Sequence, residues 1–178
     1  MYINWKRKEL VITIALYGPQ GGGKTTTWQH IARSADVVPD SADTVRIYLR
    51  DVQGKRLILN IRDTPGDPEA ASERRIALYG VDGLIFTADA SPERQDANDE
   101  SLYELEGHLG TMDKTLYGIP FVFQYNKQDV REALDLEVLQ DSLNEDRVFP
   151  SQPTCAVTGE GVGSLVQKAT DLVLAAVL

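Results

Sequence analysis

A chain of 178 residues holds one domain with a full core and is too short for two ordinary ones. Its hydrophobic fraction of 42% and charged fraction of 25% are those of a soluble globular protein, and the single cysteine, Cys155, permits no internal disulfide and points to a reducing compartment. A net charge of −9 argues against nucleic-acid backbones or an anionic membrane as the main partner, while leaving room for a local basic patch.

The opening, Met1-Tyr2-Ile3-Asn4-Trp5-Lys6-Arg7-Lys8-Glu9, is charged and has no separate apolar stretch ahead of a cleavage site, so no signal peptide is expected. Residues 10–17 are an apolar run that reads as a buried parallel strand. Gly18-Pro19-Gln20-Gly21-Gly22-Gly23-Lys24-Thr25 follows directly, and residues 25–35 read as a helix with Trp28, Ile31 and Ala32 on one face. Residues 36–43, rich in Asp, Pro, Ser and Ala, read as a mobile loop. Residues 44–50 alternate as a half-exposed strand, 52–55 read as a turn, and 57–61 return as a strand, so the two form a hairpin. Asp63-Thr64-Pro65-Gly66-Asp67 stands at the end of that strand, before a short polar helix over 70–80 that carries Arg74 and Arg75.

Residues 83–88 read as a buried strand, and Ser91-Pro92 as the N-cap and first-turn proline of a long helix. Leu102, Leu105 and Leu109 keep helical spacing in it, and it ends before Gly118. A strand over 121–125 runs into Asn126-Lys127-Gln128-Asp129, a helix spans 134–143, and residues 153–157 end a last strand. The final helix carries Val162, Leu165, Val166, Ala169, Leu172, Val173 and Ala176 as one apolar stripe. Its terminal run, 172–178, is far short of a membrane span, and neither a prenylation cysteine nor a glycine at position 2 is present. The expectation is a cytoplasmic protein without a membrane anchor. The architecture expected is a single α/β domain over residues 1–178, three-layered, with a mostly parallel six-stranded sheet and one antiparallel edge strand. In such folds ligands bind at the carboxyl ends of the strands, where each polar motif above falls.

The glycine-rich stretch fits the phosphate-binding loop pattern in the strand–loop–helix context it requires. Its backbone N–H groups, with Gly18, Gly21, Gly22 and Gly23 permitting close approach, would cradle phosphate at a positive helix end. Lys24 would supply a point charge to the outer phosphates, the Thr25 hydroxyl a magnesium ligand, and Thr26 a further nucleotide contact. Asp63, in an Asp-x-x-Gly pattern, can hold magnesium, and the N–H of Gly66 can sense a terminal phosphate. Asn126-Lys127-Gln128-Asp129 is of the Asn-Lys-x-Asp type. The Asp129 carboxylate can accept both guanine N–H donors, which adenine lacks. The Lys127 stem can lie over the base, and Asn126 can tie this turn to the phosphate loop. In Thr154-Cys155-Ala156 the N–H of Ala156 can reach the guanine oxygen, with Cys155 a small residue in the turn and not a nucleophile.

In order and spacing these four motifs resemble those of Ras-like small GTPases, and the resemblance covers nearly the whole chain. The opening Met1 to Trp5, Tyr17-Gly18-Pro19, and the segments 80–86, 97–102 and 119–127 are more specifically similar to the bacterial MglA-type GTPases. That resemblance implies a P-loop GTPase fold and a cytoplasmic polarity or motility switch using GTP, GDP and magnesium. It also implies a roadblock-fold, MglB-type regulator that accelerates hydrolysis. Thr44 would be the first switch threonine, a ligand of magnesium and nucleotide, with residues 36–44 and 65–75 as the two switches.

Three departures from the family bear on hydrolysis. Asp67 stands where the family carries a water-orienting glutamine, and an ionised carboxylate only accepts hydrogen bonds. Asp43 stands where MglA-type proteins carry a cis arginine, and Gln20 where the loop usually has glycine. Slow intrinsic hydrolysis follows, with Lys24, Gly66 and Gln20 as the residues left to act on it. Arg74 and Arg75 read as solvated helix charges, with the alternative that one of them supplies the missing cation. Two rival readings stay open: a hydrolysis-deficient pseudo-GTPase scaffold, and a nucleotide kinase built on the same loop.

Overall fold

Strands and helices alternate along the chain as β1 (Tyr2–Asn4), β2 (Glu9–Tyr17), α1 (Lys24–Ser34), β3 (Thr44–Val52), β4 (Lys55–Asp63), α2 (Ala71–Ala77), β5 (Gly83–Asp89), α3 (Gln95–Gly110), β6 (Phe121–Asn126), α4 (Leu136–Leu143), β7 (Ser151–Pro153) and α5 (Val162–Val177). The structure is a computed structural model that describes every residue except Asp36, Val38, Pro39 and Leu178, so the loop read over 36–43 lies in part outside the described residues.

The sheet order is β3-β4-β2-β5-β6-β7, with every pair on this path parallel except β3 with β4. This is the six-stranded, antiparallel-edged sheet read from the sequence. A seventh strand, β1, pairs antiparallel with the start of β2 off that path, making a second antiparallel pair. All nine residues of β2 are buried, because it lies between neighbours with helices on both faces. Its two-residue period divides the core. Leu10, Ile12, Ile14 and Leu16 pack with Trp28 and Ile31 of α1 and Leu165 and Val173 of α5. Ala15 and Tyr17 join Phe86, Phe123, Leu105 and Leu109 of α3 and Leu139 of α4 on the other side. These are the three layers expected.

The β3–β4 hairpin closes through Gln53 and Gly54, both at positive φ (49° and 72°), as a two-residue hairpin turn requires. Several boundaries differ from the sequence reading. A 3-10 turn, Pro68–Ala70, precedes α2, which is shorter than the 70–80 expected. Another, Pro92–Arg94, precedes α3. Ser91 does not cap that helix: its hydroxyl donates to Asp89 Oδ1 at 2.8 Å. The last strand is Ser151–Pro153, not 153–157, because the chain turns out of the sheet where Cys155 N–H donates to Glu160 O at 3.0 Å. In α5, Thr170 and Leu174 belong to the buried stripe, while Ala176 is exposed.

Candidate functional site

The carboxyl ends of β2, β4, β5 and β6 meet at one edge of the sheet, and the sequence-predicted motifs converge there. From β2 the chain enters the phosphate loop. Gly23 stands at the N-cap of α1 with φ 104°, ψ 15°, a conformation that favours glycine, and no side chain caps the helix. A Cβ at Gly23 would lie 2.0 Å from Asn126 Nδ2, so the close approach of the two loops also demands glycine. Asn126 Nδ2 donates to Gly22 O at 2.9 Å, the tie expected between base turn and phosphate loop.

Lys24 is buried, with its ammonium donating to Gly18 O at 2.8 Å and Pro19 O at 2.9 Å. Burial pulls its pKa down to about 8, against the opposing pull of Asp63. A Cβ at Gly66 would lie 3.5 Å from Lys24 Nζ and 3.7 Å from Gln20 Cγ, so Gln20, Lys24 and Gly66 come together. Gln20 and Gly66 border a cleft of about 380 Å³ that also takes in Arg74, Arg94 and Glu104. Gly21 and Thr25 are exposed on the loop and first turn, and Thr26 is half-buried.

Thr25 Oγ1 donates to Asp63 Oδ2 at 2.6 Å. Asp63 Oδ1 is buried and has no hydrogen-bond partner among the described residues, and burial raises the pKa of this carboxyl. A hydroxyl beside an orphaned carboxylate oxygen is the hard-oxygen donor set that magnesium takes, so the residues present fit that ion. Thr44 is placed differently from its two predicted co-ligands. Its hydroxyl donates to Asp43 Oδ1 at 3.0 Å, while Asp43 O accepts Asp63 N–H at 2.7 Å. The hydroxyls of Ser41 and Thr44 hold the Asp43 carboxyl below the usual range.

At the base turn, Asn126 Oδ1 accepts from Thr154 Oγ1 and from Ala156 N–H, both at 3.0 Å. The Ala156 N–H expected to reach guanine is thus engaged by Asn126. Lys127 sits at φ 67°, a strained conformation for a non-glycine residue, with its ammonium on Asp89 Oδ2 at 2.7 Å. Asp129 is exposed, whereas Cys155 and Ala156 are buried.

Two clusters escaped the sequence reading. Fully buried Asp89, at the end of β5, collects Lys127, Arg94 at 3.6 Å, and the backbone and hydroxyl of Ser91. Arg94 also donates to Gln20 O in the phosphate loop. The second cluster corrects the reading of Arg74 as a solvated charge. Arg74 is 5% exposed, makes a two-pronged pair with Glu104 of α3 (Nε–Oε2 3.0 Å, Nη2–Oε1 2.6 Å), and donates to Asp67 O. Tyr17 Oη donates to the same Glu104 at 2.8 Å. Burial opposes ionisation of Glu104, yet the bonds from Arg74 and Tyr17 hold its pKa below the ordinary range. Arg75 is exposed, as read. Asp67 caps its own turn, with Oδ1 accepting from Glu69 N–H at 3.0 Å.

Residues 2–173 match the family model of the ADP-ribosylation factor family. The chain is 33% identical over 187 residues to the mutual gliding-motility protein MglA of Myxococcus xanthus, covering 97% of this chain and 95% of that protein. It is also similar to ADP-ribosylation factor-like protein 3 of Saccharomyces cerevisiae, 25% identical over 94% of this chain and 87% of the relative. ADP-ribosylation factor-like protein 8c of Arabidopsis thaliana is 28% identical over 86% and 82%.

Proposed function

The chain belongs to the ADP-ribosylation factor family of small GTPases, and on that premise we propose that it is a guanine-nucleotide switch that binds GTP and GDP with magnesium and hydrolyses GTP slowly. The observation that carries the proposal is the tie from Asn126 to Gly22, which joins a base-reading turn to a phosphate loop across one sheet edge. In this reading Gly21, Gly22 and Gly23 present N–H groups to phosphate, Lys24 adds charge, and Thr26 adds a contact. Thr25 and Asp63 hold the ion, with Thr44 joining them only after its segment moves, because its hydroxyl is bonded to Asp43. Asp129 reads guanine, Lys127 lies along the base, and Cys155 and Ala156 line the turn. Gly66 reports the terminal phosphate to the segment 65–75, and 36–44 responds in parallel.

Slow turnover follows from what the catalytic positions carry. Asp67 is occupied as a turn cap, and Asp43 brings negative charge where positive charge is needed. Gln20, beside Gly66, carries an amide able both to donate to and to accept from a water. Similarity to a gliding-motility protein supports a role in polarity or motility, in the cytoplasm, with a roadblock-fold regulator reading the two switch segments. Among the described residues no helix is long and apolar enough to cross a membrane. The same two aspartates favour the second reading, a nucleotide-locked scaffold without hydrolysis.

Competition against a fluorescent GDP analogue tests the proposal. GTP and GDP should displace the analogue, ATP should not, and chelation of magnesium should speed release. Equal competition by ATP, or no retention of the analogue, would overturn the guanine reading.

A further inference from the structure

Val122 of β6 packs in the apolar layer of α1 and α5, and the next residue on that face of the strand is Gln124, 0% exposed. A buried amide is costly unless its polar groups are bonded, and here each of them is. Gln124 Oε1 accepts from Thr87 Oγ1 at 2.8 Å. Its Nε2 donates to Thr27 Oγ1 at 2.8 Å and to Thr154 Oγ1 at 2.9 Å. Thr87 is the register partner of Gln124 on β5, and Thr154 follows β7. Thr27 stands one turn into α1, where its N–H donates to Gly23 O at 2.9 Å. All of these hydroxyls are buried. One side chain therefore joins α1, β5 and the base turn. An apolar residue would fill the same space, as Val122 does one step earlier, so packing alone does not account for an amide at this position.

The polarity of these bonds is fixed from the backbone. Ala156 N–H can only donate and Gly22 O can only accept, so together they set which end of the Asn126 amide faces which loop. Asn126 Oδ1 is then the acceptor for Thr154 Oγ1, which commits its single hydrogen there. Toward β6 the Thr154 oxygen can therefore only accept, and Gln124 must present Nε2 to it while turning Oε1 to Thr87. The dependence also runs in the other direction. A donor at this point keeps the Thr154 hydrogen aimed at Asn126, and without it the hydroxyl is free to turn away. We propose that Gln124 is a positioning residue for guanine-nucleotide binding. Through Thr154 it holds the Asn126 amide, and with it the Ala156 N–H and the Gly22 carbonyl, in the arrangement that retains the nucleotide. The proposal rests on the guanine reading above and adds to it a strand residue that acts through two other side chains.

Release of a fluorescent GDP analogue from the purified full chain tests the proposal. Gln124→Met removes the amide at similar volume, and Thr154→Val removes only the linking hydroxyl. Each should speed release about fivefold, as loss of one intramolecular hydrogen bond does. The double variant should release no faster than either single one, because both act along one line to Asn126. The urea midpoint should behave differently. Gln124→Met also strips Thr27 and Thr87 of a partner, so it should lower the midpoint more than Thr154→Val while matching it in release. The Asn126 side-chain amide, identified in proton–nitrogen spectra by its loss in Asn126→Ala, should exchange faster with solvent in both variants. Release at the parent rate from either variant, fold-changes that multiply in the double variant, or an unaltered Asn126 amide would overturn the proposal and leave guanine binding standing. Release that tracks the urea midpoint, faster in Gln124→Met than in Thr154→Val, would assign Gln124 to the core alone and overturn it too. A parent chain that retains no GDP analogue would overturn both this proposal and the guanine reading.

Discussion

Asn126→Ala should uncouple the base turn from the phosphate loop, and its magnitude can be worked from three contacts. Asn126 is 2% exposed, donates to Gly22 O, and accepts from Thr154 Oγ1 and Ala156 N–H. Removal strips a partner from the Gly22 carbonyl and the Ala156 N–H, while Thr154 Oγ1 keeps Gln124 Nε2 at 2.9 Å. At about 1–3 kcal/mol for each buried group left unpaired, the loss is about 3 kcal/mol. Gly23→Ala reaches the same bond from the other side. Its Cβ would stand 2.0 Å from Asn126 Nδ2, and φ 104° adds about 1–2 kcal/mol of backbone strain. In the double variant the clash has gone and only the strain remains, so the two effects should fall short of additive by about 2 kcal/mol. Urea unfolding of the GDP-loaded protein and the GDP dissociation rate both read this cycle. Additivity within about 0.5 kcal/mol would refute the coupling of the two loops.

Three more predictions concern charge. Lys24, lowered to about 8 by burial, holds fewer protons folded than unfolded between that value and its ordinary range. Stability should therefore rise with pH through this window, whereas GDP affinity should fall about tenfold per unit above pH 8 as the ammonium is lost. Lys24→Arg should remove the fall in affinity, and an affinity independent of pH up to about 9.5 would contradict the assignment. Glu104→Ala takes the carboxylate from buried Arg74, at a cost of about 2 kcal/mol, seen as a Tm lower by roughly 4–8 °C and faster amide exchange across α2. An unchanged melting curve would mean that the pair does not hold the segment. Asp67→Gln should raise single-turnover hydrolysis at least about tenfold by restoring a donor, although it weakens the turn cap that Asp67 makes to Glu69. A rate equal to or below that of the parent would show that Asp67 is not the limitation.

The elements legible in the sequence are those with dense local signals. β2 reads as a buried strand because its residues form a continuous apolar run, and the hairpin because Gln53-Gly54 separates an alternating run from an apolar one. The phosphate loop and base turn are legible because their chemistry is compressed into a few adjacent residues. β1 was not legible: three exposed to half-buried residues leave no period to detect. β7 was placed too late because the apolar residues Cys155 and Ala156 owe their burial to a closed turn after the strand. The charged clusters were hidden for a different reason. Arg74 sits on a polar helix, and its burial is compensated by Glu104, thirty positions on, which no local pattern reports. Asp89 likewise gains its role only when β5 and β6 pair and bring Lys127 to it. Burial of a charge is a property of the fold, set by partners that sequence spacing does not reveal.

Single-turnover hydrolysis tests the central claim most directly. The protein is loaded with GTP and magnesium, and GTP and GDP are followed by chromatography over hours. Slow conversion that Lys24→Ala abolishes is the predicted result, and it makes the chain a GTPase whose regulators set its pace. GTP that stays bound and unchanged would contradict the account and leave the scaffold reading in its place.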